Sequence, residues 1–367
     1  MSRCKLEEFI SYEQPAKYIV DSDQYDDSYE IPVLTAGKSF ILGYTDEKNN
    51  IFDNLPVIIF DDFTTSVQFV DFPFKVKSSA MKLLKNTEQA DIKYCYYLLK
   101  YLQNTPENHK RQWLSATSQK TVELPVIEEQ KNIVKKLDKI LEVIDNQNKQ
   151  MELLDEAIKA RFVEMFGNPI LGTEKWPIHT VDNVAEAVDP QPSHRTPPID
   201  SDGIPYVSIK DCDLKSGNID FKGARKVGKN VLEEHLKRYD LHDGDFIIGK
   251  IGTVGNPIFV PQRRDYALSA NVVLVQPNKS VVRPYFLKYS FESEFVKRQF
   301  DEAKNSTSQA AFGIQKVRLI RVMNPSLCVQ DEFEKFAIEI DKSRSRIQKS
   351  LEASQELFDS LMQEYFG

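Results

Sequence analysis

Two stretches of the chain place apolar residues every three or four positions, and they lie 200 residues apart. In the first, Ile133, Leu137, Ile140, Ile144, Met151, Leu154, Ile158, Phe162 and Met165 follow the rhythm, with Gln147 in the one vacant slot. In the second, Phe333, Ala337, Ile340, Ile347, Leu351, Phe358, Leu361 and Tyr365 keep the register, with Arg344 and Ser354 in seam slots. This is a heptad seam. No Pro or Gly interrupts Glu128–Phe166 or Asp331–Phe366, Pro125 and Pro325 stand just ahead, and Gly167 occupies the stop position. About 38 residues at 1.5 Å rise predict a rod of about 57 Å. A rod with one apolar stripe needs a partner. The pattern predicts that the two rods pair with each other antiparallel; core helices of the ordinary kind and a self-dimerisation seam are the alternatives. Gln147 should then meet the second rod near Ile347, with Arg344 a candidate polar partner.

The duplication extends beyond the seam. Pro125 to Gly167 aligns without gaps on Pro325 to Gly367, and ten of 43 positions are identical, including Pro125, Gln130, Phe166 and Gly167. A period this long is no solenoid. It divides the chain into residues 1–124, a rod at 125–167, residues 168–324 and a rod at 325–367. The two other segments read as mixed α/β domains. In the first, Ile31–Leu34, Phe40–Leu42, Val57–Phe60, Phe72–Val76 and Ala80–Leu84 carry strand patterns, and Ile92–Leu102 a helical one. In the second, the strands are Ile204–Ile209, Asp245–Gly249 and Val272–Val275, with a helix over Pro284–Phe300 and a Pro-rich polar loop from Asp189 to Pro198. Val57-Ile-Ile-Phe followed by Asp-Asp-Phe-Thr-Thr-Ser matches Phe246-Ile-Ile-Gly followed by Lys-Ile-Gly-Thr-Val-Gly, and Ser78-Ser79-Ala80 matches Ser269-Ala270-Asn271. The architecture is duplicated and the loop sequences are not, as expected of two readers of different things.

Net charge, −7 overall, argues at first against a nucleic-acid partner. The acidity, however, sits in the rods and the first domain; residues 168–324 carry 22 basic and 19 acidic side chains. Local patches decide DNA binding, so the balance excludes only strong indiscriminate attraction. Cys4, Cys95, Cys212 and Cys328 are isolated, which suits a reducing cytoplasm and no disulfide or zinc site. The N-terminus lacks the apolar core of a signal peptide, and no apolar run is long enough to span a membrane.

Catalytic patterns are lacking. Gly244 to Lys250 nearly fits a phosphate loop, but Ile251 brings no hydroxyl for Mg²⁺ and the intervening residues read as a strand. Asp61-Asp62 has no third carboxylate at nuclease spacing and reads as a solvated loop or N-cap pair. His109, His179, His194, His235 and His242 are scattered, with no metal-ligand spacing. The polar loops do offer donors of the kind that meet base edges and phosphates. In the first domain these are Thr35, Lys38, Asp62, Thr64, Thr65, Ser66, Ser78, Ser79 and Gln119. In the second they are His194, Arg195, Lys210, Lys250, Thr253, Asn271, Ser306, Thr307, Ser308 and Gln309.

The order of a variable domain, Pro125…Gln130…Phe166-Gly167, a second variable domain and Pro325…Gln330…Phe366-Gly367 resembles the specificity subunit of type I restriction-modification enzymes. Ile204 to Asp211, Gly244 to Gly255 and the Ser306–Gln309 turn support the likeness, which covers essentially the whole chain. The first domain departs from it at Asp61 to Ser66, where the family often has Arg-Gly-Thr-x-Gly. The resemblance implies an α+β chain of two target recognition domains joined by two long helices, packed as an antiparallel coiled coil with a pseudo-twofold. It implies a cytoplasmic, non-catalytic subunit whose domains each read one half of a split, asymmetric double-stranded DNA site, with the helices setting the spacing. The implied partners are double-stranded DNA, two methyltransferase subunits that bind S-adenosylmethionine and, where the system has one, a restriction subunit that brings ATP and Mg²⁺. The chain itself would hold no cofactor. A structural adaptor that reads no DNA is the rival expectation.

Overall fold

In the computed structural model the two rods run Ile127–Phe166 and Leu327–Phe366, 40 residues each, or about 60 Å. The structure describes residues 2–35, 37, 39–104, 110–172, 175–193, 195–214, 216–250, 255–305 and 313–367. The chain forms two compact units, Met1–Asn146 with Leu351–Gly367, and Gln147–Ser350. Each unit therefore takes one globular domain together with half of each rod.

In the first unit a four-stranded antiparallel sheet has the order Ile10–Glu13, Met81–Asn86, Val57–Asp61, Val67–Val70. A three-stranded sheet has the order Ile41–Thr45, Ile31–Leu34, Lys75–Val76, the last pair parallel. The period of two along Val57–Asp61 explains how one strand serves two cores. Ile58 and Phe60 face a cluster with Phe9, Tyr94, Leu98 and Trp113, while Val57 and Ile59 face Leu34, Phe52 and Phe74 between the sheets. The helix Ile92–Tyr101 starts at Asp91, whose carboxylate accepts the N–H groups of Lys93 and Tyr94. The rods close the first cluster: Ile133, Val134 and Leu137 from one, Phe358 and Met362 from the other. Lys136 Nζ donates to Tyr365 Oη at 3.0 Å, so the early part of the first rod lies against the late part of the second.

The second unit repeats the plan. Its four-stranded sheet has the order Ala185–Val188, Val272–Pro277, Phe246–Gly249, Ile258–Phe259, and its three-stranded sheet Lys226–Val227, Ile204–Val207, Ala267–Leu268. Register fixes the equivalences: Gly249 pairs with Val272 as Asp61 pairs with Met81. Lys250 thus corresponds to Asp62, one residue later than the sequence match of Val57 to Phe246 implies. That match aligned apolar runs, whereas the strand pairing also counts Asp61, a polar residue inside its strand. The predicted helix over Pro284–Phe300 is two helices, Pro284–Glu292 and Glu294–Asn305. Extended backbone at Ser293 breaks it, and the Ser293 hydroxyl donates to Ser290 O at 2.6 Å.

Here the late part of the first rod packs on the early part of the second, through Phe162 and Phe166 against Phe333 and an ion pair of Arg161 with Glu332 at 2.6 Å. Within each unit the rods are therefore antiparallel. Every seam residue named above is buried or half-buried. The polar seam contacts differ from the expectation. Gln147 Nε2 donates to Ser350 Oγ at 2.7 Å, one turn past Ile347, and Arg344 pairs with Asp155 and Asp341 instead. A full negative charge outcompetes a neutral amide for a guanidinium.

The recurring Gln has a structural reason. Gln130 and Gln330 are fully buried. Gln130 Oε1 accepts the N–H of Asp91 at 2.8 Å while its Nε2 donates to Pro125 O at 2.8 Å and Gln89 O at 3.1 Å. Gln330 does the same with the N–H of Arg283 and with Pro325 O, both at 2.7 Å. Asp91 and Arg283 are the N-caps of the equivalent domain helices. Each Gln thus fastens a rod to the domain before it by satisfying backbone groups that a helix start leaves open.

Candidate nucleic-acid interface

In each domain backbone hydrogen bonds gather the candidate loops at one end of the inner strands of both sheets, the loop edge of the domain. In the first, Lys77 N donates to Leu34 O at 2.9 Å, Asp62 N to Ala80 O at 3.1 Å, and Gln112 N to Asp62 O at 2.8 Å. These bonds join the turn after Leu34, the Ser78–Ala80 stretch, the loop after Asp61 and the segment from Lys110. In the second, Ser269 N donates to Val207 O and Lys250 N to Asn271 O, each at 2.8 Å. They join the turn after Val207, the Ser269–Asn271 stretch and the end of the central strand.

Burial sorts the candidates. Thr64, Ser78 and Ser79 are exposed on the first edge, and Ser66 is half-buried beside them. Thr35 sits there too, its hydroxyl donating to Ser39 O at 2.8 Å within the hairpin turn. Gln119 is exposed but tied to Lys5 at 2.9 Å and Glu7 at 2.5 Å. Three candidates face inward and cannot meet DNA. Asp62 is 1% exposed; its carboxylate accepts the N–H of Trp113 at 2.8 Å and lies 3.1 Å from the equally buried ammonium of Lys82. It is neither a solvated loop residue nor a base reader: the single carboxylate both balances Lys82 and caps the Trp113 turn. Asp61, also buried, turns its carboxylate to the N–H groups of Phe63 and Thr64. Thr65 is buried at φ 59°, and its hydroxyl donates to Asn104 O at 2.7 Å. Lys250 is 5% exposed and paired with Asp189 at 2.8 Å.

On the second edge Arg195, Lys210 and Asn271 are exposed. Lys38, His194, Thr253, Ser306, Thr307, Ser308 and Gln309 lie outside the described residues. The sequence reading missed Lys110 and Arg111, both exposed next to the segment bonded to Asp62; an adjacent basic pair in a polar loop was the available signal. It also missed the residues that hold the Pro-rich loop. Arg238 donates to Pro190 O and Arg225 to Pro197 O, each at 2.7 Å, and His235 Nε2 lies 2.8 Å from Gln191 Oε1. Tyr239 Oη is 3.1 Å from His235 Nδ1. Burial, helped by the nearby charge of Arg238, pushes the imidazole down to about 4, so at neutral pH it is uncharged, with Nε2–H donating to Gln191 and Nδ1 accepting from Tyr239.

The near match to a phosphate loop does not fit a nucleotide. Phe246, Ile247 and Ile248 are fully buried, and the strand is paired on both sides, so its N–H groups are not open to a phosphate. Among the described residues no cluster of His, Cys, Asp or Glu could hold a metal ion, and no helix is long and apolar enough to cross a membrane.

A family model described as the type I restriction modification DNA specificity domain matches residues 3–156 and again 199–353. The chain belongs to that family. The specificity-domain matches fall one in each half of the chain, in step with the repeated fold. Among relatives, the specificity subunit of the Escherichia coli type I restriction enzyme EcoR124I/EcoR124II is 52% identical over 126 residues, 33% of this chain and 31% of that protein. The E. coli EcoBI specificity subunit is 22% identical over 262 residues, 64% of this chain and 55% of that protein. The matches thus span from just under a third to just over half of these curated relatives. The solved type I restriction-modification S subunit from M. genitalium shares the fold with a TM-score of 0.65 at 13% identity, covering 100% of this chain and 96% of that one.

Proposed function

We propose that this chain is the DNA-recognition subunit of a type I restriction-modification complex. Each domain reads one half of a bipartite, asymmetric double-stranded DNA site through the loops at the ends of its inner strands. The two rods set the spacing between the halves and dock two methyltransferase subunits, and a restriction subunit where the system has one. The observation that carries this reading is the pairing of two tandem family matches with one fold built twice, bearing different exposed side chains on equivalent edges. Base contacts worth about 1–3 kcal/mol each give two such edges two different preferences. The chain acts without a cofactor of its own; S-adenosylmethionine, and ATP with Mg²⁺, belong to the partner subunits, as does the flipping of the target base. The setting is cytoplasmic.

The test is long-read methylation mapping of cells that express the methyltransferase subunits with and without this chain. The expected result is methyladenine at a split sequence only when the chain is present. A map identical in both cases, or selection of no sequence from a random DNA pool by the assembled complex, leaves only a structural adaptor and sinks the reading.

A further inference from the structure

We infer that Lys250 is a positioning residue for recognition by the second domain, acting through the Asp189–Pro198 loop and not on DNA. The inference rests on the DNA-reading function proposed above. Lys250 follows three fully buried strand residues and is itself only 5% exposed, so its ammonium has no path to a phosphate while the strand end stays folded. Nζ lies 2.8 Å from Asp189 Oδ1, and the same oxygen accepts the N–H of Gln191 at 3.1 Å. The charge is thus delivered to the base of the Pro-rich loop. Arg238, His235 and Arg225 hold that loop at Pro190, Gln191 and Pro197. Arg195, exposed on the loop, takes its place from these anchors. Charges shielded from water attract strongly, and the pair tolerates little change of geometry.

The first domain shows why the effect is local to one half-site. Its residue equivalent to Lys250 is Asp62, and the partner Lys82 lies on the neighbouring strand, inside the sheet. There the pair ties the residue after one strand to the neighbouring strand of the same sheet; in the second domain it ties the residue after the strand to the Pro-rich loop.

The experiment selects sequences from a random DNA pool with the assembled complex carrying wild-type chain, Lys250→Met or Asp189→Asn. Both variants are expected to lose preference at the half-site read by the second domain, by roughly tenfold to a hundredfold, the range of one good base contact. Preference at the other half-site is retained and reports on folding. The slope of log affinity against log salt stays at the wild-type value for Lys250→Met, because no phosphate contact is lost; a lysine that touches a phosphate takes about 0.9 from that slope when removed. A slope lowered by that amount, equal losses at both half-sites, or an unaltered second half-site each overturn the inference. If the wild-type complex selects no split sequence, the DNA-reading function itself fails; the inference fails alone when the wild type selects one and Lys250→Met reads it unchanged.

Discussion

Replacing Gln330 by Leu tests the account of how a rod is fastened to its domain. The side chain is fully buried, and two of its bonds, from the N–H of Arg283 and to Pro325 O, are 2.7 Å long. Leucine fills nearly the same volume, so little is lost in packing. It offers neither donor nor acceptor. The N–H of half-buried Arg283 and the buried C=O of Pro325 then lose their partner, at about 1–3 kcal/mol each. Allowing for local relaxation, Gln330→Leu should destabilise the junction by about 2–4 kcal/mol. Since each 1.4 kcal/mol is a factor of ten, the amide of Arg283 should exchange with solvent deuterium roughly 30- to 700-fold faster. Hydrogen-exchange mass spectrometry on peptides spanning residues 279–290 and 325–332 measures this. Gln130→Leu should expose the amide of Asp91 to the same degree and leave Arg283 protected, because it serves the other junction. Unchanged exchange at Arg283 in Gln330→Leu, or a loss of protection spread evenly over the chain, refutes the reasoning.

Removing seven residues from each rod, 142–148 and 342–348, shortens both by about 10 Å. It should contract the preferred spacer by about three base pairs with both half-sites unchanged; methylation-site sequencing that returns the original spacer counts against the rods as a ruler. Lys82→Met strands the Asp62 carboxylate in a site 1% exposed, so the midpoint of urea unfolding should fall by the equivalent of about 3–5 kcal/mol, and the double variant Lys82→Met, Asp62→Leu should recover much of it; a wild-type midpoint for Lys82→Met would show the pair to be unimportant. His235 is held near 4 when folded against about 6.5 unfolded. The unfolded chain therefore binds the extra proton first, and stability should decline as pH falls from about 6.5 toward 4. His235→Gln should flatten that part of the profile, and an equally steep decline in the variant would assign it to other groups.

The rods were legible in the sequence because a seam is a local periodicity, readable without knowing the partner. Their antiparallel pairing could be expected from an apolar stripe in want of a mate, yet its polar details could not: Gln147 found Ser350, and Arg344 found Asp155. Those choices depend on register across two segments some 200 residues apart. The strands Ile31–Leu34 and Val57–Asp61 announced themselves through apolar runs. The short strands Ser2–Lys5 and Thr121–Leu124 did not, because only their pairing with each other makes them strands. The candidate loops were recognised as polar stretches, but polarity along a chain does not tell surface from interior. Asp62, Thr65 and Lys250 have the residue types of DNA readers and are folded inward, since each finds a partner of opposite charge or complementary hydrogen-bonding sense 20 or more residues away in sequence: Lys82, the backbone of Asn104 and Asp189. Sequence by itself therefore determined the duplication, the two rods and the mixture of helix and strand in the two domains, all properties of local pattern. Tertiary structure alone decided which donors remain at the two edges and why Gln130 and Gln330 recur, because burial and hydrogen-bond satisfaction are settled between segments and not along them.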